Sequence, residues 1–155
     1  MRRIETSIDI DAPPRVVWDV LTDFAAYSEW NPFMTVEGEP REGERLAVRL
    51  TPPGARATTF RPTVLVADGS ELRWRGDLLV PGLYDGEHSF ALERRDDGTT
   101  RLRHDEVFSG VLVGLINRRV GPAVERGFWA MNAALKERVE GARLTPDDGV
   151  RNSTR

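Results

Sequence analysis

The stretch Leu102-Arg103-His104-Asp105-Glu106-Val107-Phe108 has a period of two, and directly after Ser109-Gly110 that period stops. From there Ile116, Val120, Val124, Phe128, Met131, Leu135 and Val139 recur at three or four residues. A period of two is a strand with one buried face, and a spacing of three to four is one apolar stripe along a helix. The junction therefore joins a strand to one long amphipathic helix. Pro122 lies inside that helix, so a kink or restart is expected at Gly121-Pro122. Gly141 is the expected C-terminal stop, and residues 142–155 read as a polar tail.

Upstream of the junction, strand and turn alternate. Ser89, Ala91 and Glu93 interleave with His88, Phe90 and Leu92, and Asp96-Asp97-Gly98 turns the chain into the 102–108 strand. Leu72, Trp74 and Gly76 alternate with Glu71, Arg73 and Arg75. Phe60, Val64 and Val66 share a parity ahead of an Asp68-Gly69 turn, and Leu46, Val48 and Leu50 alternate before Pro52-Pro53-Gly54. At the N-terminus Ile4, Thr6, Ile8 and Ile10 face one way in a first strand. Asp11 or Ala12 caps a short helix carrying Val17, Val20, Leu21 and Phe24. The aromatic run Tyr27 to Phe33 makes a second helical turn that ends at Asn31, because the residue before a proline disfavours the α region. The reading is one α+β domain over residues 1–141, an antiparallel meander closed by the long helix.

Composition narrows the chemistry. The chain has 155 residues, 39% of them hydrophobic and 30% charged, with no cysteine. Cysteine nucleophiles, thiolate metal sites and disulfides are excluded, and a reducing compartment is compatible. A formal net charge of -3 does not favour nucleic acid. Two histidines leave little for a His-rich metal centre, and no metal or cofactor is expected. The longest apolar run, residues 110–117, is far below the ~20 residues of a membrane span. No signal core precedes Ile4, so a cytoplasmic protein is expected. Phosphate-cradling glycine loops, dinucleotide fingerprints and nucleophile elbows are not found.

The order strand, two short helices, about six antiparallel strands and a long C-terminal helix resembles the helix-grip fold of the START and birch-pollen-allergen (SRPBCC) superfamily. Within it, the bacterial polyketide cyclase/dehydrase and lipid-transport-like group is most similar. The carrying residues are Ile10-Asp11-Ala12-Pro13 with Val17-Trp18 and Leu21-Thr22-Asp23, then Tyr27 with Trp30-Asn31-Pro32-Phe33. They continue with Leu72-Arg73-Trp74-Arg75-Gly76, Gly86-Glu87-His88 with Phe90, Glu106-Val107-Phe108-Ser109-Gly110, Gly127-Phe128, Met131-Asn132 and Ala134-Leu135-Lys136. The resemblance implies a curved antiparallel sheet wrapped around the last helix, often with an open cavity between them.

The inward parity then holds Trp74, His88, Phe90, His104, Glu106, Phe108, Ile116, Val120, Val124 and Phe128. A dry core would reject the carboxylate and imidazoles in this set, because burying an unpaired carboxylate costs several kcal/mol. These residues are therefore candidate ligand-binding residues, joined by Trp30 and Phe33 as a gate at the cavity mouth. Residues 88 and 106 lie equally far from residue 97, so a simple hairpin register sets His88 opposite Glu106. They are expected to pair, either as a polar pair that holds the register or as an acid/base couple assisted by His104. Gly76 and Gly86 are candidate bulges.

Three functions remain open. The first is binding or transport of a hydrophobic small molecule such as a lipid, polyketide or aromatic metabolite. The second is an aromatase/cyclase or dehydratase-like enzyme using His88, His104 and Glu106 as proton carriers, and the third is a co-chaperone-like interaction domain. Trp129, off the helix stripe, is either a homodimer contact or an aromatic covered by arginine stems.

Overall fold

The computed structural model describes residues 1–77 and 80–144. Strand β1 (Arg2–Ile10) leads into helix α1 (Pro14–Thr22) and a 3-10 helix (Phe24–Glu29). Seven strands follow: β2 (Met34–Glu37), β3 (Ala47–Leu50), β4 (Thr58–Phe60), β5 (Thr63–Ala67), β6 (Glu71–Asp77), β7 (Asp85–Arg94) and β8 (Thr100–Ser109). Helix α2 (Val113–Leu144) closes the chain.

Five strands form one antiparallel sheet in the order β1-β8-β7-β6-β5, and β2-β3-β4 form a smaller one. A seam links them. Arg45 bridges Thr63, Leu46 N–H donates to the Pro62 carbonyl (2.8 Å), and Val64 N–H donates to that of Glu44 (2.8 Å). The large sheet curves, and α2 packs on β1 and β8, giving the helix-grip α+β fold.

Local chemistry explains most element ends. Pro13 occupies the cap position of α1 and Pro14 its first turn, so neither Asp11 nor Ala12 caps it. Two prolines bring no N–H, which removes part of the need for a cap. Asp11 N–H donates instead to the Glu140 carboxylate (2.8 Å) on α2. The 3-10 helix ends at Glu29 with Trp30 as its cap, so the aromatic turn stops short of the expected Asn31, whose Oδ1 accepts from the N–H groups of Phe33 (2.9 Å) and Met34 (3.0 Å). Buried Tyr27 donates its hydroxyl to the Leu21 carbonyl.

Three expectations change. Phe60, Val64 and Val66 do not lie on one regular strand: Pro62 separates β4 from β5, and the register of β5 on β6 shifts between Val64 and Val66. Proline cannot donate to a ladder, and the shift leaves Leu65 as the extra residue of a bulge. Helix α2 does not restart at Pro122, which lies on its exposed side within the continuous helix. Nor does Gly141 stop the helix, which continues to Leu144. The expected polar tail lies, from residue 145 on, outside the described residues.

The outer face of the sheet is ionic. Arg73 pairs with Glu71 (3.1 Å) and Glu87 (3.0 Å), Arg101 with Asp9 (2.9 Å), and Arg103 with Glu93 (3.5 Å). Exposed pairs of this kind contribute ~0.2–1 kcal/mol each.

Candidate functional site

The site begins where two strands lack side chains. Gly76 of β6 stands opposite Gly86 of β7, on the parity that carries Trp74 and His88 inward. The register runs unbroken through both, so neither glycine is the bulge the sequence suggested. A Cβ on Gly86 would lie 2.5 Å from Oε1 of Glu106, and one on Gly76 would lie 3.2 Å from Pro62. Both are glycine because neighbours approach closely, and both line the space enclosed by the two sheets and α2.

That space is a cavity of about 430 Å³. Phe108 of β8, Tyr84 ahead of β7, and Ile116, Val120 and Val124 on the first half of α2 form its walls. Leu50, Phe60 and the Pro52–Arg56 turn cover it from the small sheet. Arg56, Thr58 and Asp77 are exposed and mark where the cavity meets solvent. Tyr84 stacks on Phe108 with ring centroids 5.5 Å apart. Its hydroxyl donates to Asn117 Oδ1 (2.7 Å), and burial, with the Glu106 carboxyl nearby, pushes the phenol well above its ordinary range.

Glu106 is the inner polar group of the lining, and it heads a buried chain of hydrogen bonds. Its Oε2 lies 2.8 Å from His88 Nδ1. His88 Nε2 lies 2.7 Å from His104 Nε2, and His104 Nδ1 lies 2.7 Å from Asn132 Oδ1. Asn132 Nδ2 donates to Thr6 Oγ1 (2.8 Å), and Thr6 donates to the His104 carbonyl (2.7 Å). All five residues are buried.

The carbonyl at the far end sets the direction of every bond. A carbonyl only accepts, so the single hydroxyl hydrogen of Thr6 points at it. Thr6 Oγ1 then accepts from the Asn132 amide nitrogen, which leaves Asn132 Oδ1 to accept from His104 Nδ1–H. Burial first, then the neighbouring His88, hold His104 well below its ordinary pKa, against the opposing effect of its bond to Asn132. It is thus a neutral imidazole with its lone pair on Nε2, and His88 Nε2–H must donate to it. His88 Nδ1 and Glu106 Oε2 are left to share one hydrogen. They are either imidazolium with carboxylate or imidazole with carboxylic acid, and the pair is neutral overall in both forms. This compensation lets a carboxylate sit in an apolar wall.

The sequence-derived candidates divide into three groups. Glu106, Phe108, Ile116, Val120 and Val124 reach the cavity. Trp74, His88, Phe90, His104 and Phe128 do not line it and form a closed aromatic layer behind Glu106. Phe128 stacks on His104 (4.2 Å, 4° between planes), Phe90 on His104 (4.3 Å) and Trp74 on His88 (5.0 Å). Trp30 and Phe33 are not a gate to this cavity. Phe33 is buried against Phe128 (5.5 Å) and Gly127, and Trp30 packs edge-on to Tyr27 (5.0 Å). Phe33 sits under the helix instead, because Gly127 leaves a place on α2 for its ring.

Sequence reading missed Tyr84 and the lining from the small sheet. The parity of His88 and Gly86, carried one step further, reaches Tyr84. The lining from the small sheet has no such signal, since it depends on how the two sheets meet. Among the described residues no group of His, Asp and Glu is arranged to hold a metal ion.

A carboxyl–imidazole pair sharing one hydrogen beside an apolar cavity can orient a bound molecule or exchange a proton with it. The family described as polyketide cyclase / dehydrase and lipid transport matches residues 1–140. No curated protein matches the chain. Among solved structures, the Zhui aromatase/cyclase from Streptomyces sp. R1128 is similar at 20% identity and a TM-score of 0.75, covering 96% of this chain and 99% of that one. The protein TTHA0849 of Thermus thermophilus is similar at 17% identity and a TM-score of 0.72, over 91% of this chain and 99% of its own. The norcoclaurine synthase of Thalictrum flavum is similar at 12% identity and a TM-score of 0.69, over 92% and 96%. At these identities the structures share the fold. With the family match over most of its length, the chain belongs to the polyketide cyclase/dehydrase and lipid transport family.

Proposed function

We propose that the chain binds an apolar small molecule in the cavity between β6–β8 and the first half of α2, as a carrier or sensor. The observation that carries this is the lining: apolar walls from Tyr84, Phe108, Ile116, Val120 and Val124 around one buried carboxyl group, Glu106. A cavity of about 430 Å³ falls within the range of small-molecule sites, roughly 300–1,000 Å³. Few convergent polar groups in an apolar pocket is the usual composition of such sites. The family's description, which names polyketide and lipid chemistry, is consistent with an apolar guest.

A second reading, an enzyme of the cyclase or dehydratase type, draws on the hydrogen shared by His88 and Glu106 at the cavity wall. The same pair serves a pure carrier as a polar anchor, so the carrier reading asks less of it. A co-chaperone-like role is not favoured, since it would be better served by a filled core and an exposed apolar patch.

Two measurements test the proposal. Native mass spectrometry of freshly purified protein is expected to show a co-purifying small molecule. Fluorescence titration with naphthalene is expected to show saturable binding that weakens tenfold or more in Val120→Trp, where an indole occupies the cavity. No saturable binding to the native chain would overturn the reading.

A further inference from the structure

We infer that Oε1 of Glu106 selects ligands bearing a hydrogen-bond donor, a hydroxyl on an apolar ring skeleton, and discriminates against a carbonyl or other acceptor at that position. The inference rests on the cavity-binding reading and adds the chemical class of the guest.

The argument starts from the oriented chain. One hydrogen lies between His88 Nδ1 and Glu106 Oε2. If it sits on His88, Glu106 is a carboxylate and Oε1 is bare. If it sits on Oε2, Oε1 is the carbonyl oxygen of the acid and is again bare. Wherever the hydrogen rests, Oε1 accepts and does not donate.

Nothing else in the protein serves that oxygen. Among the described residues the Glu106 carboxyl group makes its one hydrogen bond through Oε2. Glu106 nevertheless belongs to the cavity lining, and Oε1 lies against Gly86, itself a lining residue, 2.5 Å from where a Cβ would stand. An acceptor that opens onto an apolar cavity has no protein donor to serve it, whereas a hydrogen bond to a charged group contributes more than one between neutral groups. A ligand hydroxyl supplies the missing hydrogen. A carbonyl, carboxylate or phosphate oxygen placed there would meet Oε1 lone pair to lone pair and leave it unsatisfied.

The other lining groups do not offset this preference. The Tyr84 hydroxyl hydrogen points to Asn117, and Arg56, Thr58 and Asp77 sit at the exposed mouth. An ammonium also donates, but it brings a net charge against apolar walls and a pair that is already neutral. The stacked Tyr84 and Phe108 rings give a planar guest an aromatic wall. An apolar ring with one hydroxyl fits every part of this lining.

The test uses three fluorescent probes of one skeleton on the full chain. Naphthalene reports the cavity, 2-naphthol adds a donor, and 2-cyanonaphthalene adds an acceptor. The native chain is expected to bind 2-naphthol tenfold or more tightly than 2-cyanonaphthalene. That ratio is expected to fall to within threefold in Glu106→Leu, which removes the acceptor. It should fall likewise in Gly86→Ala, which keeps the carboxyl group but forces Oε1 away from its present position, because a methyl group there would stand 2.5 Å from it. If Glu106→Leu does not fold, Gly86→Ala carries the comparison. Equal affinity of the native chain for 2-naphthol and 2-cyanonaphthalene, with naphthalene still bound, would overturn this inference and leave the cavity reading standing. Failure of all three probes to bind would overturn both.

Discussion

The Nε2 atoms of His88 and His104 lie 2.7 Å apart with one hydrogen between them, and that hydrogen belongs to His88. The two imidazoles are therefore unlike: His104 is held neutral by its surroundings, while His88 shares a hydrogen with Glu106. This asymmetry originates in Thr6 and Asn132 and governs how the site responds to pH and mutation.

The His104 imidazole is depressed well below its ordinary pKa, chiefly by burial. In the unfolded chain it titrates near the usual ~6.5. Between that value and its folded value the unfolded state binds more protons, so stability rises with pH in this window. The contribution is present above about pH 6.5 and is lost progressively as pH falls below it. Urea unfolding at pH 7.5 and pH 5.5 is expected to show a lower midpoint at the acid end. His104→Phe should flatten that dependence, and an unchanged slope would contradict the assignment.

Asn132→Leu leaves His104 Nδ1–H without an acceptor and frees Thr6 Oγ1 from its donor. The expected cost is about 1–3 kcal/mol, the usual effect of orphaning a buried donor. In thermal unfolding this is a fall of several degrees for a domain of this size. The ¹⁵N shifts of His104 in the native chain should show the Nδ1–H tautomer, whatever the mutant does.

Phe128 contacts both imidazoles and Phe33, with centroids at 4.2 Å from His104, 5.0 Å from His88 and 5.5 Å from Phe33. Phe128→Ala opens a hole in the aromatic layer and is expected to cost about 3–5 kcal/mol. Denaturant unfolding reads this directly, and a loss under about 1 kcal/mol would mean that the layer collapses to fill the gap.

Gly127 is glycine because the Phe33 ring lies where its Cβ would be. Gly127→Ala should therefore destabilise by about 1–3 kcal/mol, the usual range for overpacking, although alanine is the better helix former. If Gly127→Ala raises the melting temperature, the ring does not press on the helix as described.

Trp129 is 46% exposed on α2. Trp129→Gln is expected to shift stability by no more than about 0.5 kcal/mol. Sedimentation of the same variant beside the native chain tests the homodimer proposal, which requires this aromatic to be covered by a second copy.

Periodicity alone carried much of this protein. The alternation of Leu102 to Phe108 and the stripe from Ile116 to Val139 placed β8 and α2, because side-chain period follows directly from backbone geometry. Turn spacing around Asp96-Asp97-Gly98 put His88 opposite Glu106, since an antiparallel hairpin leaves its register little freedom. Tertiary structure decided the rest. A linear pattern cannot tell a side chain that faces inward into a void from one that faces inward onto another ring, so Phe108 at the cavity and Phe90 in the closed layer read alike. Nor could it show that Phe33 would lie on Gly127, or that the small sheet would roof the space beside Gly76 and Gly86. The direction of the hydrogen-bond chain depends on Thr6, His104 and Asn132 meeting from β1, β8 and α2, residues as far apart as 126 positions in sequence. Contacts at that separation are set by how whole elements dock, and local pattern holds no record of them.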